Sequence, residues 1–279
     1  MTQFRAGLIG SGIQASLTPA MHEAEGAAQG HAYRYDLIDT DRRPEPLADL
    51  LDWAQGEGFS GLNITHPYKQ AVMPLLDRLD PDAQALGAVN TVVLRDGLRV
   101  GHNTDWSGFA EGLRRTLPDA PLGAVVQLGA GGAGSAVAYA LLKRGAARLA
   151  IFDNDAAKAA DLVARMAALF PAAEVVVGHD LATAVANADG LVNCTPVGMA
   201  KYPGAPLPLE YLRPSLWVAD VVYFPLETAL LAAARTRGCA VVDGGGMAVF
   251  QAVEAFRLIT GLTPDPERMI ASFKRLLTA

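Results

Sequence analysis

Cysteines and long apolar runs are the first things that this sequence lacks. Only Cys194 and Cys239 occur among 279 residues, too few for a disulfide framework or for a metal site built from cysteines. No stretch of about 18 or more apolar residues exists, so we expect no membrane-spanning helix and no membrane partner. The opening residues, MTQFRAGLIGSG, lack the long apolar core of a signal peptide and resemble a first strand. These absences predict a cytoplasmic protein.

A surplus of positive charge is also missing. The chain has 23 Lys and Arg against 29 Asp and Glu, a net charge of −6, and no basic stripe. This balance argues against nucleic acid as a main partner. Hydrophobic residues make up 51% and charged residues 19%, so a large core is available and the composition argues against global disorder. At about 150 residues per domain, the length predicts two domains.

Short apolar runs alternate with helical spacing along the chain. The runs predict strands at 6–10, 33–39, 59–65, 124–129, 148–153, 174–178, 190–195, 216–223 and 239–243. Helical patterns begin at about Pro19 and continue at 47–54, 104–117, 132–144, 156–169, 246–260 and 265–277. Residues 90–104 predict a hairpin that turns at Asp96–Gly97. This alternation predicts an α/β fold with parallel sheets.

Two proline positions predict helix starts near polar side chains. Thr18 precedes Pro19 and suits a helix N-cap. Pro67 follows a strand, so we expect residues 68–70 to form the first turn of a helix. Ligands of α/β sheets bind at the carboxyl ends of strands, which favours ligand-facing roles for Thr65 and Lys69.

Residues 129–134, GAGGAG, fit the spacing G-x-G-x-x-G directly after a strand and at the start of a helix. This context predicts a dinucleotide site, in which glycines admit the pyrophosphate and the helix N-terminus donates N–H groups. The alternative is a glycine-rich turn of another α/β protein. Asp153 lies 19 residues after Gly134, where an acid binds both ribose hydroxyls and repels a 2′-phosphate. The prediction is NAD rather than NADP, although Asp153 or Asp155 also suits a helix N-cap and Lys158 offsets part of the charge.

Lys69 and Asp105 are candidates for proton transfer. A dehydrogenase needs a group that takes the hydroxyl proton as the hydride leaves, and a lysine with a tuned pKa can do so. The alternatives are a solvated lysine at a helix start and an acid that interacts with a helix dipole. Ser16 and Thr18 have the alternative role of capping the helix that follows them.

Eight motifs in order resemble the shikimate/quinate dehydrogenase family over nearly the whole chain. They are SLTPAMH (16–22), GLNITHPYK (61–69), LGAVNT (86–91), GHNTD (101–105), GAGGAG (129–134), NCTPVGM (193–199), DVVYFPLET (220–228) and MAVFQA (247–252). The resemblance implies a substrate domain at 1–103, joined by C-terminal helices at about 246–279. It also implies a Rossmann-like, doubly wound NAD domain at 104–245 with a linking helix at 104–117.

The resemblance also implies roles for individual residues. Lys69 and Asp105 would form the catalytic pair. The substrate, a small cyclitol carboxylate, would be bound by Ser16, Thr18, Thr65, Asn90, Tyr223 and Gln251. The cofactor would be bound by Gly129, Ala130, Gly131, Gly132, Ala133, Gly134, Asp153, Lys158, Thr195, Pro196 and Gly244. No metal is implied, and the protein is expected to be a homodimer or a monomer.

Three departures from the family pattern refine the expectation. Thr18 replaces a serine, and residues 152–155 lack the usual arginine; both resemble the NAD-linked quinate/shikimate branch. The triplet Gly244–Gly246 replaces a bulkier stretch, and we expect it to loosen the backbone. The leading hypothesis is an NAD-dependent enzyme that oxidises quinate and shikimate at C3. The alternatives are an NADP-linked biosynthetic shikimate dehydrogenase, an enzyme for an altered (amino)shikimate, or a non-catalytic dinucleotide sensor.

Overall fold

The computed structural model describes residues 2–278, and the chain folds into two compact units. The first unit contains the chain up to Thr104 and again from Val249, and the second contains Asp105–Ala248. The strands are β1 (Gln3–Gly10), β2 (Ala32–Asp39), β3 (Gly61–Ile64), β4 (Arg78–Leu79), β5 (Thr91–Arg95), β6 (Leu98–His102), β7 (Ala124–Leu128), β8 (Arg148–Phe152), β9 (Glu174–Val177), β10 (Gly190–Asn193), β11 (Trp217–Asp220) and β12 (Ala240–Val242). The helices are α1 (Thr18–Ala28), α2 (Leu47–Gly56), α3 (Pro81–Leu86), α4 (Asp105–Thr116), α5 (Gly132–Lys143), α6 (Ala156–Leu169), α7 (Leu181–Ala186), α8 (Ala229–Thr236), α9 (Gly245–Thr260) and α10 (Pro266–Thr278).

The sheet of the first unit is mixed. Its strand order is β2-β1-β3-β5-β6-β4, with β1 parallel to both β2 and β3, and β5 antiparallel to both β3 and β6. The hairpin at Asp96–Gly97 is confirmed, because both residues have positive φ, 54° and 76°, as a tight two-residue turn requires. Ile9, Leu62 and Ile64 are buried against α2 in its core.

The sheet of the second unit is fully parallel, with the order β12-β11-β10-β7-β8-β9. The chain starts in the middle at β7, runs to one edge, and returns to β10 on the other side. This is the doubly wound order, and ligands bind where it switches, at the carboxyl ends of β7 and β10. The predicted α/β class with a Rossmann-like second part is therefore confirmed.

The prediction of a helix at 68–70 is wrong. Residues 66–72 form turns, followed by a single 3₁₀ turn at Met73–Leu75. The carbonyl of Lys69, which would accept a hydrogen bond from residue 73 in a helix, instead accepts one from Val89 N–H at 2.8 Å. A partner distant in sequence thus holds the segment in a non-helical path.

The N-cap prediction for Thr18 is also wrong. Thr18 is the first residue of α1, Leu17 occupies the N-cap, and no side-chain cap bond forms there. Ser16 Oγ accepts from the Thr18 N–H instead, at 3.3 Å. The short helices α3, α7 and α8, of 6, 6 and 8 residues, were not predicted, because so few residues carry little periodicity.

Candidate active site

In the first unit, Thr65 lies where β1 and β3 end side by side. Its N–H donates to Ile9 O at 2.9 Å, and Ser11 N–H donates to His66 O at 3.0 Å. A Cβ on Gly10 would overlap the Thr65 methyl group, so glycine is required for this close approach. The loop that leads to Ser16 therefore runs beside the turn that follows Thr65.

The loop before α1 is held by Asp39, which is 4% exposed at the end of β2. Its carboxylate accepts from Gln14 Nε2 at 2.8 Å and from Gly12 N–H at 3.2 Å. The Gln14 amide holds the pKa of Asp39 below its ordinary value. The loop then delivers Ser16 and Thr18, both half-buried, to the start of α1.

A buried chain of side-chain hydrogen bonds orients Asn90. Its Oδ1 accepts from Thr104 N–H at 2.7 Å and from Thr91 Oγ1 at 3.1 Å, and its Nδ2 donates to Thr104 Oγ1 at 3.0 Å. Asn63 Nδ2 donates to Thr91 Oγ1 at 3.0 Å, and Tyr35 Oη donates to Asn63 Oδ1 at 2.8 Å. Burial raises the pKa of Tyr35 well above its ordinary value, so the phenol keeps the proton that it donates. The orientation of Asn90 is thus fixed from three strands.

Lys69 is brought close to Asn90 by the backbone. Its carbonyl accepts from Val89 N–H at 2.8 Å, and the Asn90 carbonyl accepts from Ile64 N–H at 2.8 Å. Thr65, Lys69 and Asn90 therefore gather at one end of β3, and Lys69 is half-buried there. Gln251 is half-buried on α9 of the same unit, one residue before the fully buried Ala252.

In the second unit, two glycines of the GAGGAG loop are required by close packing. Gly129 has a φ of 98° and donates its N–H to Phe152 O at 2.7 Å. A Cβ on Gly134 would overlap the carbonyl oxygen of Gly129. The fully buried Gln127 fastens the loop, because its Nε2 donates to the carbonyls of Gly129 and Gly134, each at 2.9 Å.

The other two glycines have open space in front of them. A Cβ on Gly131 or Gly132 would meet no heavy atom within 4 Å. The first bond of α5 is donated by Ser135 N–H to Gly131 O at 2.8 Å, so the helix itself does not use the preceding N–H groups. An open cradle at a helix N-terminus fits a pyrophosphate. Ala130 and Ala133 are the small residues between these glycines.

Asp153 closes the glycine loop. Its Oδ2 accepts from Ala130 N–H at 2.7 Å, and its Oδ1 accepts from Asp155 N–H at 2.8 Å. The helix N-cap is Asp155, which accepts from the Ala157 and Lys158 N–H groups, so the alternative role of Asp153 as the N-cap is excluded. Lys158 Nζ lies 3.6 Å from Asp155 Oδ2, in an exposed pair of little energetic weight.

The loop after β10 lies against the glycine loop. A Cβ on Gly129 would come within 2.9 Å of the Cys194 backbone, so Thr195 and Pro196 follow directly beside it. Asn193 Oδ1 accepts from the N–H and the hydroxyl of Thr195, at 3.0 and 2.7 Å. Tyr223 stands on the loop after β11 with 46% of its surface exposed.

The expectation that Gly244–Gly246 loosen the backbone is wrong. A Cβ on Gly244 would lie 2.5 Å from Val221 O, and one on Gly246 would lie 3.1 Å from Gly112 Cα. Gly245 begins α9, and its N–H donates to Asp243 Oδ1 at 3.0 Å. These glycines permit close backbone packing.

Some supporting residues were missed at the sequence level. Asn63, Gln127 and Asp220 are polar residues within or at the end of otherwise apolar strands, and all three are buried. A buried polar group must find hydrogen-bond partners, so a polar residue inside an apolar run was the available signal. Within residues 2–278, no group of three or more His, Cys, Asp or Glu side chains is arranged to hold a metal ion. Nor does that part of the chain contain a helix long and apolar enough to cross a membrane.

Comparisons with known proteins find similar dehydrogenases. Residues 8–92 match the family model described as the shikimate dehydrogenase substrate binding domain. A shikimate dehydrogenase (NADP(+)) of Arthrobacter sp. strain FB24 is 54% identical over 281 residues, covering 99% of this chain and 96% of its own. A quinate/shikimate dehydrogenase (NAD(+)) of Corynebacterium efficiens is 54% identical over 277 residues, covering 97% of each chain.

A solved structure has the same fold. The quinate dehydrogenase from Corynebacterium glutamicum, in complex with NAD, superposes with a TM-score of 0.95 at 50% identity. The match covers 99% of this chain and 100% of the other.

Proposed function

The chain belongs to the shikimate/quinate dehydrogenase family of oxidoreductases, and we propose that it oxidises the C3 hydroxyl of quinate and shikimate with NAD. The observation that carries the choice of NAD is the carboxylate of Asp153, which accepts a hydrogen bond from Ala130 N–H in the glycine loop. The proposal assigns substrate binding to residues 1–103 with the C-terminal helices, and cofactor binding to residues 104–245.

The chemistry of Asp153 supports a free ribose rather than a ribose phosphate. A carboxylate has about four lone-pair positions, and two of them accept the Ala130 and Asp155 N–H groups. The others remain to accept the ribose hydroxyls. A 2′-phosphate would meet the charges of Asp153 and Asp155, which the exposed Lys158 ammonium offsets only in part. Gly131 and Gly132 admit the pyrophosphate, and Thr195, Pro196 and Gly244 contribute the neighbouring contacts.

A set of polar side chains is proposed to bind and orient the substrate. The hydroxyls of Ser16 and Thr18 donate to the carboxylate. Hydrogen bonds to the ring hydroxyls come from Thr65, Asn90, Asp105 and Gln251, with Tyr223 at the edge. Ring hydroxyls need several convergent partners, because a buried polar group left unpaired costs about 1–3 kcal/mol. Such a set rejects analogues that lack a hydroxyl.

Lys69 is proposed to move the proton. When bound, NAD supplies the acceptor for the hydride from C3. As that hydride leaves, the Lys69 side chain takes the proton of the C3 hydroxyl, whose oxygen keeps the electron pair and becomes the carbonyl oxygen. Asp105, at the first residue of α4, partners Lys69 and stabilises the ammonium that results.

Initial rates of cofactor reduction, measured with quinate and shikimate against NAD and NADP, test this function. We expect high kcat/KM for both acids with NAD and low values with NADP. Activity restricted to shikimate with NADP would contradict the proposal. Absence of turnover with all four pairs would also contradict it, and would favour an altered shikimate or a sensor.

A second candidate is a biosynthetic enzyme that reduces 3-dehydroshikimate with NADPH. The observation in its favour is the relative from Arthrobacter, which is named for NADP(+) and is as identical, at 54%, as the NAD(+)-named relative from Corynebacterium efficiens. The same four rates separate the two candidates.

A further inference from the structure

Asp220 is a buried acid that the proposed chemistry does not use. It ends β11 and is 2% exposed. Its Oδ1 accepts from Asn193 Nδ2 at 2.9 Å and from Val222 N–H at 3.0 Å, and its Oδ2 accepts from Thr228 Oγ1 at 2.8 Å. One carboxylate is therefore bonded to three separate segments of the second unit.

The first segment leads to the proposed cofactor residues. Asn193 donates to Asp220 and also to Val197 O at 3.0 Å, while its Oδ1 accepts both polar hydrogens of Thr195. Since the Asn193 Nδ2 donates to Asp220 and Val197 O while its Oδ1 accepts from Thr195, Asp220 and Val197 together fix the plane of this amide. The path of Thr195 and Pro196 follows from that plane.

The other two segments bracket Tyr223. Val222 immediately precedes it, and Thr228 ends the same loop as the N-cap of α8, where its Oγ1 also accepts from Leu231 N–H at 3.3 Å. The two loops also lie close together, because a Cβ on Gly198 would lie 3.2 Å from Thr228 Cγ2. A shift of the Tyr223 loop is therefore transmitted to the loop of Thr195.

We propose that Asp220 is a positioning residue whose carboxylate sets the loops of Thr195–Pro196 and Tyr223 together and so tunes the affinity for the dinucleotide. The proposal rests on the cofactor role assigned to Thr195 and Pro196 above. It assigns Asn193 and Thr228 as the two hydrogen-bond partners through which Asp220 acts.

This arrangement depends on the charge of Asp220. Burial raises its pKa to about 6, against the opposing hydrogen bonds from Val222, Thr228 and Asn193. The titratable group that faces it from the residue just after β10 is the Cys194 thiol, which stays neutral because burial raises its pKa well above the ordinary value. At the surface, Glu227, which lies just before α8, pairs with Arg235 in the last turn of that helix. Both oxygens of ionised Asp220 accept hydrogen bonds, and protonation would place a hydrogen on one of them. The hydrogen bonds to Asn193 and Thr228 therefore hold above about pH 6 and weaken below it.

The dissociation constant for NADH, measured by fluorescence titration, tests the hydrogen bond from Thr228 to Asp220. Thr228→Val removes the donor to Asp220 and is expected to raise the constant about tenfold, as for the loss of one buried charge-assisted bond. Thr228→Ser keeps the hydroxyl and should restore binding. The matched control is Thr236→Val at the other end of α8, whose hydroxyl donates within that helix to Ala232 O at 2.9 Å. Circular dichroism verifies that each variant is folded.

Asp220→Asn provides a second readout that a purely structural role would not move. Wild-type affinity for NADH should fall as the pH drops from about 8 to 5.5, and the variant should lose most of that dependence. Wild-type-like constants for folded Thr228→Val, or an unchanged pH profile in Asp220→Asn, would overturn the proposal. Neither titration contains quinate or shikimate, so a failure of the proposed substrate would appear as absent turnover and would leave this test valid. Should the wild type bind NADPH alone, the same titrations use NADPH.

Discussion

Replacing Gly134 by alanine is expected to push apart the two ends of the glycine loop. The new Cβ would overlap Gly129 O and lie 2.9 Å from Gly129 C and 3.0 Å from Gln127 Nε2. Neither backbone can yield freely, because Gln127 bonds both carbonyls from a fully buried position. Overpacking costs about 1–3 kcal/mol, and loss of a buried hydrogen bond costs about as much again. Alanine regains about 1 kcal/mol of helix propensity. We expect a net loss of about 3 kcal/mol in the free energy of unfolding.

Gly131→Ala is the matched variant in the same loop. Gly131 has a φ of −75°, and a Cβ there would meet no heavy atom within 4 Å. The free energy of unfolding should therefore stay within about 0.5 kcal/mol of wild type. The methyl group would occupy the space through which a pyrophosphate approaches the helix N-terminus. Loss of a charge-assisted hydrogen bond, about 1.5–3 kcal/mol, should raise the dissociation constant for NADH about ten- to a hundredfold.

Urea unfolding and NADH titration of both variants separate the two roles of the glycines. The expected pattern is low stability for Gly134→Ala, and wild-type stability with weak binding for Gly131→Ala. If Gly134→Ala is as stable as wild type, the packing argument is wrong. If Gly131→Ala binds NADH as wild type does, the cradle does not receive the pyrophosphate.

Further expectations concern the first unit. Lys69→Ala should lower kcat by at least about a hundredfold with a small change in KM, because it removes a proton acceptor. The control is Lys274→Ala, on the exposed side of α10. Equal activity of the two variants would refute the assignment of Lys69. Burial lowers the pKa of His22 to about 3, so the unfolded chain takes up a proton below pH 6.5 while the folded chain does not. The free energy of unfolding should therefore fall by about 2 kcal/mol more between pH 8 and pH 5 in wild type than in His22→Gln, and parallel urea titrations with equal losses would contradict this. Tyr35→Phe removes the donor to Asn63 Oδ1 and should raise KM for quinate severalfold while KM for NAD stays unchanged; an unaltered KM for quinate would show that Asn90 is oriented without it.

Features with strong local patterns were predictable from the sequence. The bounds of α6, Ala156–Leu169, agree with the prediction, because apolar residues recur there at helical spacing up to its end. The glycine loop was placed by its spacing between a strand and a helix, which α5 and β7 confirm. Parallel pairing followed from the alternation of strands and helices.

Features that depend on distant partners were not predictable in this way. The turn at Lys69 is decided by Val89, 20 residues further along the chain. The Val89 N–H donates to the Lys69 carbonyl, which would otherwise accept a hydrogen bond within a helix. The linking role of Asp220 requires Asn193, 27 residues away in the neighbouring strand. In the first unit, the substrate-binding roles came from the family resemblance, since Ser16, Thr65 and Asn90 form no local motif on their own. Spacing alone identifies the loop of a cofactor site more readily than it identifies a substrate site built from side chains of several strands.

The choice between NAD and NADP is the central claim, and a competition reaction tests it most directly. Wild-type protein would be incubated with quinate in excess and with equal concentrations of NAD and NADP, and the reduced cofactors would be separated by chromatography. The ratio of NADH to NADPH equals the ratio of the two kcat/KM values. The acidic closure of the glycine loop by Asp153 predicts at least about tenfold more NADH, the effect of roughly 1.4 kcal/mol of discrimination. An equal amount or an excess of NADPH would contradict the account.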